Sequence, residues 1–444
     1  MPAKLRSWWY EIRGSLWFLP SILTAAAIVL ATVSVWIDQR WLLDRHAQIG
    51  WLFGGGVDGA RGVLQAIAST MITVTALVFS ITVVALQLAS SQLSPRVLRT
   101  FMADRGNQTV LGFFIGTFTY ALLVLRVVHS PLEDADAFVP SLSVTLAIVL
   151  ALISVGLLIF FVHHAANAMR ASVVIDRAAW ATRERIDQLY PEQDESDRPV
   201  APEPAAPRVI STVCTKSGGY LQAIDIGTLL AFADRHAMTI RVEPTVGDFL
   251  FPGEPLASIW PTDSEETDAE GAIRDAFVLG LERTLHADVA FGFQQLSDIA
   301  VRSLSPGIND PTTAIICIDR LGDLLVHLSH RGQPLTVRKE DEGEGRLIVR
   351  EPSFADLLDI AFDQIRHYGA GDPTVMAHLL RTLARMSRLI PADYLAALHS
   401  HSRLALSAAE QMLTIREERA RVELAGAWAA LPLSDCAHQD TSRS

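Results

Sequence analysis

The chain has 444 residues, of which 50% are apolar and only 19% are charged. The apolar residues cluster in the first third, which excludes both a single soluble domain and a disordered chain. Residues 1–168 carry 10 Lys and Arg against 8 Asp and Glu, a net charge of +2, and the remaining residues carry 27 against 41, a net charge of −14. A strongly acidic second part is unsuited to coating nucleic acid or an anionic membrane surface, so we expect no nucleic-acid partner.

Four stretches in the first part lack charged residues over a length that can cross a bilayer, which takes roughly 20 apolar residues. They are residues 15–37, 62–95, 106–125 and 137–162, named spans 1 to 4. Basic residues precede span 1, as in a signal peptide, but its 23 residues and the three later spans indicate a retained helix. The sequence predicts an α-helical membrane protein with four transmembrane helices in residues 1–168 and the lipid bilayer as a partner.

The charges that flank the spans indicate their orientation. Basic residues precede span 1, separate spans 2 and 3 and follow span 4, whereas the connection between spans 3 and 4 is acidic. Because cytoplasmic loops carry the excess of Lys and Arg, the positive-inside rule places both termini in the cytoplasm. We therefore expect a multi-pass membrane protein whose two termini lie on the same, cytoplasmic side.

Span 2 carries the most informative pattern. Its 34 uncharged residues would form a helix about 51 Å long, well beyond the ~30 Å hydrocarbon core. Polar residues recur seven apart along it and line one narrow stripe, with Ser91 close by on the same face. They are Thr73, Ser80, Gln87 and Ser94. Polar groups that face lipid are costly, so we expect this stripe to face protein or water.

Two interpretations of the stripe remain open. In one, several subunits form a homo-oligomer in which the stripe lines an aqueous path. In the other, its side chains bond back to their own helix or join neighbouring helices, as most membrane Ser and Thr do. Span 3 adds a second packing signal, because Gly112 and Gly116 form a GxxxG spacing that allows close helix contact.

The pattern beyond residue 168 predicts a cytoplasmic α+β region. A helix and a Pro-rich acidic linker occupy residues 169–207. Residues 208–262 predict a small β-rich module that resembles half of a barrel-sandwich domain, with a short helix capped by Asp225. The pattern predicts a mainly helical domain over residues 263–433, interrupted by two short strands around an acidic turn, and a disordered tail over residues 434–444.

A helix–loop–helix corner is well specified within the helical part. Gly307 can take a left-handed backbone, Asp310 suits an N-cap and Pro311 suits the first helical turn. A rigid structural turn explains all of these residues. The alternative is a polar pocket for an unknown ligand or partner, lined by residues from this loop and from a predicted preceding helix. These residues are Glu282, Arg283, His286, Asn309 and Asp310.

The residue patterns of an enzyme or a metalloprotein are missing. The chain has no phosphate-binding loop, no nucleophile elbow and no HExxH motif. Its cysteines, Cys214, Cys317 and Cys436, lack paired spacing and a nearby His pattern, which indicates reduced thiols rather than a zinc site. We therefore expect a protein that is not an enzyme, with no catalytic residue, no metal and no cofactor.

Four stretches of the sequence resemble one bacterial family. The runs at residues 69–82 and 85–96, the segment 217–222 and the loop 305–311 are similar to the signature of the membrane proteins grouped as domain of unknown function 2254. This resemblance implies an inner-membrane protein with a cytoplasmic domain, and it implies no reaction.

Two functions follow from these patterns. The first is an oligomeric channel or transport-related protein in which span 2 lines a polar path and the acidic domain gates it. The second is a membrane-anchored sensor or scaffold whose cytoplasmic domain binds a ligand or partner, with the spans as anchor and dimer interface.

Overall fold

The computed structural model describes residues 15–42, 52–92, 102, 104–129, 138–168, 170–190, 192, 211–260, 269–285, 287–332, 337–338 and 346–430. The chain forms two compact units. The N-terminal unit holds Trp9–Ser91 and Pro95–Arg170, and the C-terminal unit consists mainly of Ala171–Ser444.

Four helices of the N-terminal unit are long and apolar enough to cross a membrane. They are α1 (Phe18–Ile37), α2 (Val57–Gln92), α3 (Arg105–Val127) and α4 (Ser141–Ala168). Each coincides with one predicted span apart from a few residues at its ends. The 36 residues of α2 make it about 54 Å long at 1.5 Å per residue, in agreement with the overlong span expected from the sequence.

Two glycines of α3 allow it to approach α1 closely. A Cβ atom added at Gly112 would lie 2.8 Å from the Cα of Pro20 and 2.8 Å from Cδ1 of Leu23. A Cβ atom added at Gly116 would lie 3.4 Å from the Cβ of Ala27. The GxxxG spacing therefore serves as a contact surface between these two helices.

Two buried carboxylates link helices of the N-terminal unit, one at the start of α4 and one near its end. The carboxylate of Asp38, just after α1, accepts hydrogen bonds from the backbone N–H groups of Leu142 (3.0 Å) and Ser143 (2.9 Å) at the start of α4. Asp104 is the N-cap of α3, and its Oδ1 lies 3.0 Å from Nε2 of His164 near the end of α4. Both carboxylates occupy helix N-termini, where negative charge is favoured, and each ties α4 to another helix.

The C-terminal unit begins with α5 (Ala171–Leu189) and continues into a β-rich part. Its further elements are β1 (Ser211–Cys214), β2 (Gly219–Ile224), α6 (Ile226–Arg235), β3 (Thr239–Val242), β4 (Phe249–Leu250), β5 (Pro255–Trp260), α7 (Ala269–Asp275) and β6 (Phe277–Gly280). Asp225 caps α6 as predicted, because its side chain accepts a hydrogen bond from the backbone N–H of Thr228.

The rest of the unit is mainly helical. Its elements are α8 (Val289–Ser303), α9 (Pro311–Ser329), β7 (Val337–Arg338), β8 (Arg346–Ile348), α10 (Phe354–Gly369), α11 (Pro373–Met386), α12 (Leu395–Met412) and α13 (Arg416–Gly426). Apolar residues at helical spacing bury one face of each of the long helices, and α5 packs against α8 and α9. Representative fully buried side chains are Phe293, Leu321, Phe362, Leu380 and Leu398.

Two sheets form the β-rich part. One has the order β1-β5-β3-β8-β7 and the other the order β4-β2-β6. Because β6, β7 and β8 lie beyond residue 262, the module extends past the boundary predicted there. The extension is driven by burial: β3 and β8 pair in parallel, and Ile240 and Leu347, opposite each other in that pair, are both fully buried. No local turn signals such a pairing, because parallel strands need a long connection.

Candidate functional site

The polar stripe of α2 lies on the exposed side of that helix. The side chains of Thr73, Ser80 and Gln87 are all exposed within the N-terminal unit. The opposite face packs against the other helices through buried residues, and Ser80 lies about 200° around the helix from one of them, Val78. These buried residues are Ala60, Leu64, Ala68, Met71 and Val78. The stripe therefore lies opposite the packed face. Neither the Ser91 side chain nor Ser94 falls within the described residues.

Small residues continue the stripe at spacings of three and four. They are Gly62, Ala66, Ser69 and Ala76, and all are exposed. Large exposed apolar residues flank the stripe on both sides, namely Leu77, Phe79 and Val84. Spacings of three and four repeat every 3.5 residues on average, the period of left-handed helix pairs, and small residues let helix backbones approach each other in a membrane. The sevenfold spacing of the polar residues does not predict this continuation, because the small residues that extend it are mostly apolar.

Hydrogen bonding differs along the stripe. The hydroxyl of Thr73 donates to the carbonyl oxygen of Ser69 at 2.8 Å, so this residue satisfies itself within its own helix. No hydrogen bond joins the side chains of Ser80 or Gln87 to other described residues. The Gln87 amide has two N–H donors and one acceptor, and in hydrocarbon each unpaired polar group would cost several kcal/mol. An unpaired Gln87 thus favours contact with water or with another protein chain.

Two residues of the predicted polar pocket, Arg283 and Asp310, lie beyond opposite ends of α8. Arg283 donates to Asp288 from Nε at 2.8 Å and from Nη2 at 3.1 Å, and Asp288 caps the start of α8. Asp310 lies beyond the other end of α8, where it caps α9 by accepting a hydrogen bond from the backbone N–H of Thr313 at 3.1 Å. The 15 residues of α8 make it about 22 Å long. Asp310 is thus engaged as the cap of α9, and Arg283 is engaged as the partner of Asp288, the cap of α8.

The other pocket candidates are at the surface or outside the described residues. Glu282 and Asn309 are exposed, and His286 is not among the described residues. Asn309, with a φ of 50°, takes the left-handed backbone, so the expectation for Gly307 is wrong. The reason is the path of the chain, because the turn at Asn309 lets the backbone N–H of Asp310 reach the carbonyl oxygen of Ser303 at 2.8 Å. Asn tolerates this conformation better than most residues.

Two cysteines fall within the described residues, and both are free thiols. Cys317 is buried in α9, and burial raises the pKa of its thiol well above the usual range. A thiol held in its protonated form is a poor nucleophile and a poor metal ligand. The Cys317 side chain therefore acts as a small apolar core residue.

Comparison with known proteins places this chain in one family. The model of a family described as predicted membrane protein, DUF2254, matches residues 13–385. An uncharacterised protein of Mycobacterium tuberculosis (strain CDC 1551 / Oshkosh) is 34% identical over 419 residues, which cover 93% of this chain and 79% of the relative. An uncharacterised protein of Mycobacterium bovis (strain ATCC BAA-935 / AF2122/97) shows the same identity and coverage. No solved structure matches the chain. The chain belongs to the family of predicted membrane proteins grouped as domain of unknown function 2254.

Proposed function

We propose that this protein is a homo-oligomer of the bacterial inner membrane in which the α2 stripes of several subunits meet and enclose a polar path for an ion or small solute. Its main support is the position of Ser80 and Gln87. Both side chains are exposed opposite the packed face of α2 and have no hydrogen-bond partner among the described residues. A second copy of the chain, or water enclosed by several copies, satisfies them.

The number of spans also favours assembly. One chain with four helices cannot enclose a wide polar path, whereas a closed ring of chains can. In such a ring the small residues of the stripe allow close contact between subunits, and the large apolar residues beside it face lipid or neighbouring helices. The flanking charges favour an orientation with both termini in the cytoplasm, which puts the acidic C-terminal unit there as well.

Disulfide crosslinking tests the assembly. In a background with Cys214→Ser, Cys317→Ala and Cys436→Ser, one variant carries Ser80→Cys on the stripe and a control carries Phe79→Cys. Phe79 is also exposed but lies about 100° away around the helix. We expect oxidation in native membranes to give a covalent dimer at Ser80→Cys in at least tenfold excess over Phe79→Cys. No dimer at Ser80→Cys, or equal yields from the two variants, contradicts the proposed interface.

Solute flux tests the path itself. Gln87→Leu and Ser80→Leu remove the polar groups from the stripe, and Val84→Leu is the control on the flanking surface. With purified protein in liposomes, we expect the two stripe variants to lower flux at least tenfold and the control to behave like the parent. Unchanged flux in assembled Gln87→Leu and Ser80→Leu, or a parent that passes no solute, would rule out the path.

The bond from Thr73 to its own helix supports a second candidate function. A stripe whose hydroxyls are satisfied within the helix suits a dry interface between two anchors, and the protein is then a membrane-anchored sensor or scaffold with a ligand or partner on its C-terminal unit. Crosslinking at Ser80→Cys together with a complete lack of flux would favour this candidate.

A further inference from the structure

In the described part of the C-terminal unit, three His–Asp pairs join neighbouring helices. In each pair Nε2 of the histidine lies 2.7 to 2.8 Å from Oδ1 of the aspartate. The pairs are His327–Asp187 between α9 and α5, His378–Asp319 between α11 and α9, and His401–Asp359 between α12 and α10. Such pairs often have only a structural role. The His401–Asp359 pair differs from the other two in one feature of its surroundings.

The His401–Asp359 pair has a second carboxylate beside it. Asp363 lies four residues after Asp359 in α10, so both carboxylates lie on the same face of that helix. A nitrogen of His401 and one oxygen from each of the two aspartates lie within 4.8 Å of one another. Among the described residues, this is the one place where three side chains of the metal-binding types come together in this way.

Burial holds one of these side chains and leaves the others accessible. The His401 side chain is 6% exposed and that of Asp359 is 60% exposed. The buried imidazole ring directs Nε2 at the exposed carboxylate of Asp359, 2.7 Å away, so the group lies at the border between the core and the surface. Burial already fixes the orientation of the His401 ring. Only the surface carboxylates must become ordered when a cation binds, which keeps the entropy cost of binding small.

The local charge also favours a cation. Two carboxylates face one nearby cationic side chain, Arg366, whose Nη2 donates to Oδ1 of Asp363 at 3.1 Å. The two carboxylates outnumber this guanidinium, so the acidic side of the cluster is not neutralised by it. Each carboxylate has two oxygens, so Asp363 can hold Arg366 with one and an ion with the other.

We propose that Asp359, Asp363 and His401 bind a divalent first-row transition-metal ion such as Zn²⁺ or Mn²⁺. Imidazole favours Zn²⁺ over Mg²⁺ and Ca²⁺, and carboxylate oxygens bind both Zn²⁺ and Mn²⁺. Bonds of about 2.0–2.2 Å place two donors on one ion roughly 3 to 4.3 Å apart, so small rotations of the carboxylates are sufficient. The ion replaces the hydrogen bond between His401 and Asp359, crosslinks α10 to α12 and keeps open coordination positions for water or a ligand.

The test is Zn²⁺ binding by the full chain in detergent. After treatment with a chelator, the protein is dialysed against Zn²⁺ alone and bound metal is quantified. Asp363→Ala is the main variant, because Asp363 is half-buried at the helix surface and its removal leaves the core intact. Asp319→Asn is the matched control, because it removes the carboxylate of the His378 pair, which no second carboxylate joins in this way among the described residues.

We expect the parent and Asp319→Asn to bind one Zn²⁺ per chain with the same affinity. We expect Asp363→Ala and His401→Gln to bind that ion at least tenfold more weakly. Titration with Co²⁺ in place of Zn²⁺ gives a second readout, because absorption bands from a nitrogen- and oxygen-ligated ion should be lost in Asp363→Ala. Equal Zn²⁺ affinity in Asp363→Ala and the parent, or no stoichiometric binding by the parent, would overturn the proposal.

Discussion

Arg283 donates two hydrogen bonds to the carboxylate of Asp288, from Nε at 2.8 Å and from Nη2 at 3.1 Å. The same carboxylate accepts a hydrogen bond from the backbone N–H of Phe291 at 2.9 Å and so caps α8. Burial raises the pKa of the Asp288 carboxyl above its usual range, and Arg283 acts in the opposite direction. The pair therefore connects the segment after β6 to the start of α8. Because the Asp288 carboxylate is buried, its hydrogen-bond partners stabilise its charge in place of water.

Arg283→Met leaves this buried carboxylate without its cationic partner. Removal of one member of a buried ion pair costs about 3 kcal/mol or more. For a unit of this size we expect the midpoint of thermal unfolding to fall by about 6–12 °C, measured by circular dichroism on the full chain. A fall of less than about 2 °C would mean that the pair contributes little.

The loss in Arg283→Met should depend on pH. Without Arg283, the pKa of the Asp288 carboxyl rises further above its value in the unfolded chain. The native state then binds a proton more tightly than the unfolded state, so native stability falls as pH rises through that range. We expect the deficit relative to the parent to shrink as the pH is lowered from about 7.5 to about 5.5. Addition of Asp288→Asn should abolish this dependence, and a deficit that is constant with pH would contradict it.

Gly247 lies against the same ion pair and cannot accept a side chain. Its φ of 101° is in the region that favours glycine, and an added Cβ would collide with Oδ2 of Asp288 and lie 2.8 Å from Nη2 of Arg283. Gly253 is the matched control, because its φ is 94° and an added Cβ would meet no atom within 4 Å. Both changes to Ala strain the backbone by about 1 kcal/mol, and only Gly247→Ala should also disrupt the pair.

We therefore expect Gly247→Ala to lower the unfolding midpoint at least twice as much as Gly253→Ala does. Circular dichroism on the two purified variants measures the difference. Equal losses would show that backbone strain alone decides the outcome and that the contact with Asp288 has no weight.

Local sequence signals were sufficient for some of these features. The four apolar helices follow from charge-free length, and the caps at Asp225 and Asp310 act on residues three positions further along. The pairing of β3 with β8 joins strands separated by about a hundred residues, and no local pattern encodes it. The candidate metal ligands show the same limit. Asp359 and Asp363 alone have the spacing of an ordinary solvated helix face, and only the packing of α12 brings His401 to them.

The left-handed backbone at Asn309, in the loop between α8 and α9, can be tested by substitution. Asn309 has a φ of 50°, and Gly307 neither has a positive φ nor has an atom within 4 Å of an added Cβ. Asn309→Ala places a less tolerant residue in the left-handed region and should cost about 1 kcal/mol. Gly307→Ala should be neutral or stabilise by up to ~1 kcal/mol, because it restricts the unfolded chain. We therefore expect Asn309→Ala to lower the midpoint of thermal unfolding and Gly307→Ala to leave it unchanged or raise it. A larger loss in Gly307→Ala would contradict the observed turn.

The contact between α1 and α3 can be tested in the same way. An added Cβ at Gly112 would lie 2.8 Å from the backbone of Pro20, which cannot move without shifting α1. Gly156 in α4 is the matched control, because it is also a glycine within an apolar helix and an added Cβ there would meet no atom within 4 Å. Overpacking typically costs 1–3 kcal/mol, whereas Gly to Ala in an open helical position is favourable by about 1 kcal/mol.

We expect Gly112→Ala to lower the unfolding midpoint in mild detergent and Gly156→Ala to maintain or raise it. Because both substitutions add the same single methyl group to an apolar helix, a difference between them reports on the helix contact and not on helix propensity or detergent binding. Equal behaviour of the two variants would mean that α1 and α3 can separate enough to accept the methyl group, and the GxxxG spacing would then have no role in holding these two helices together.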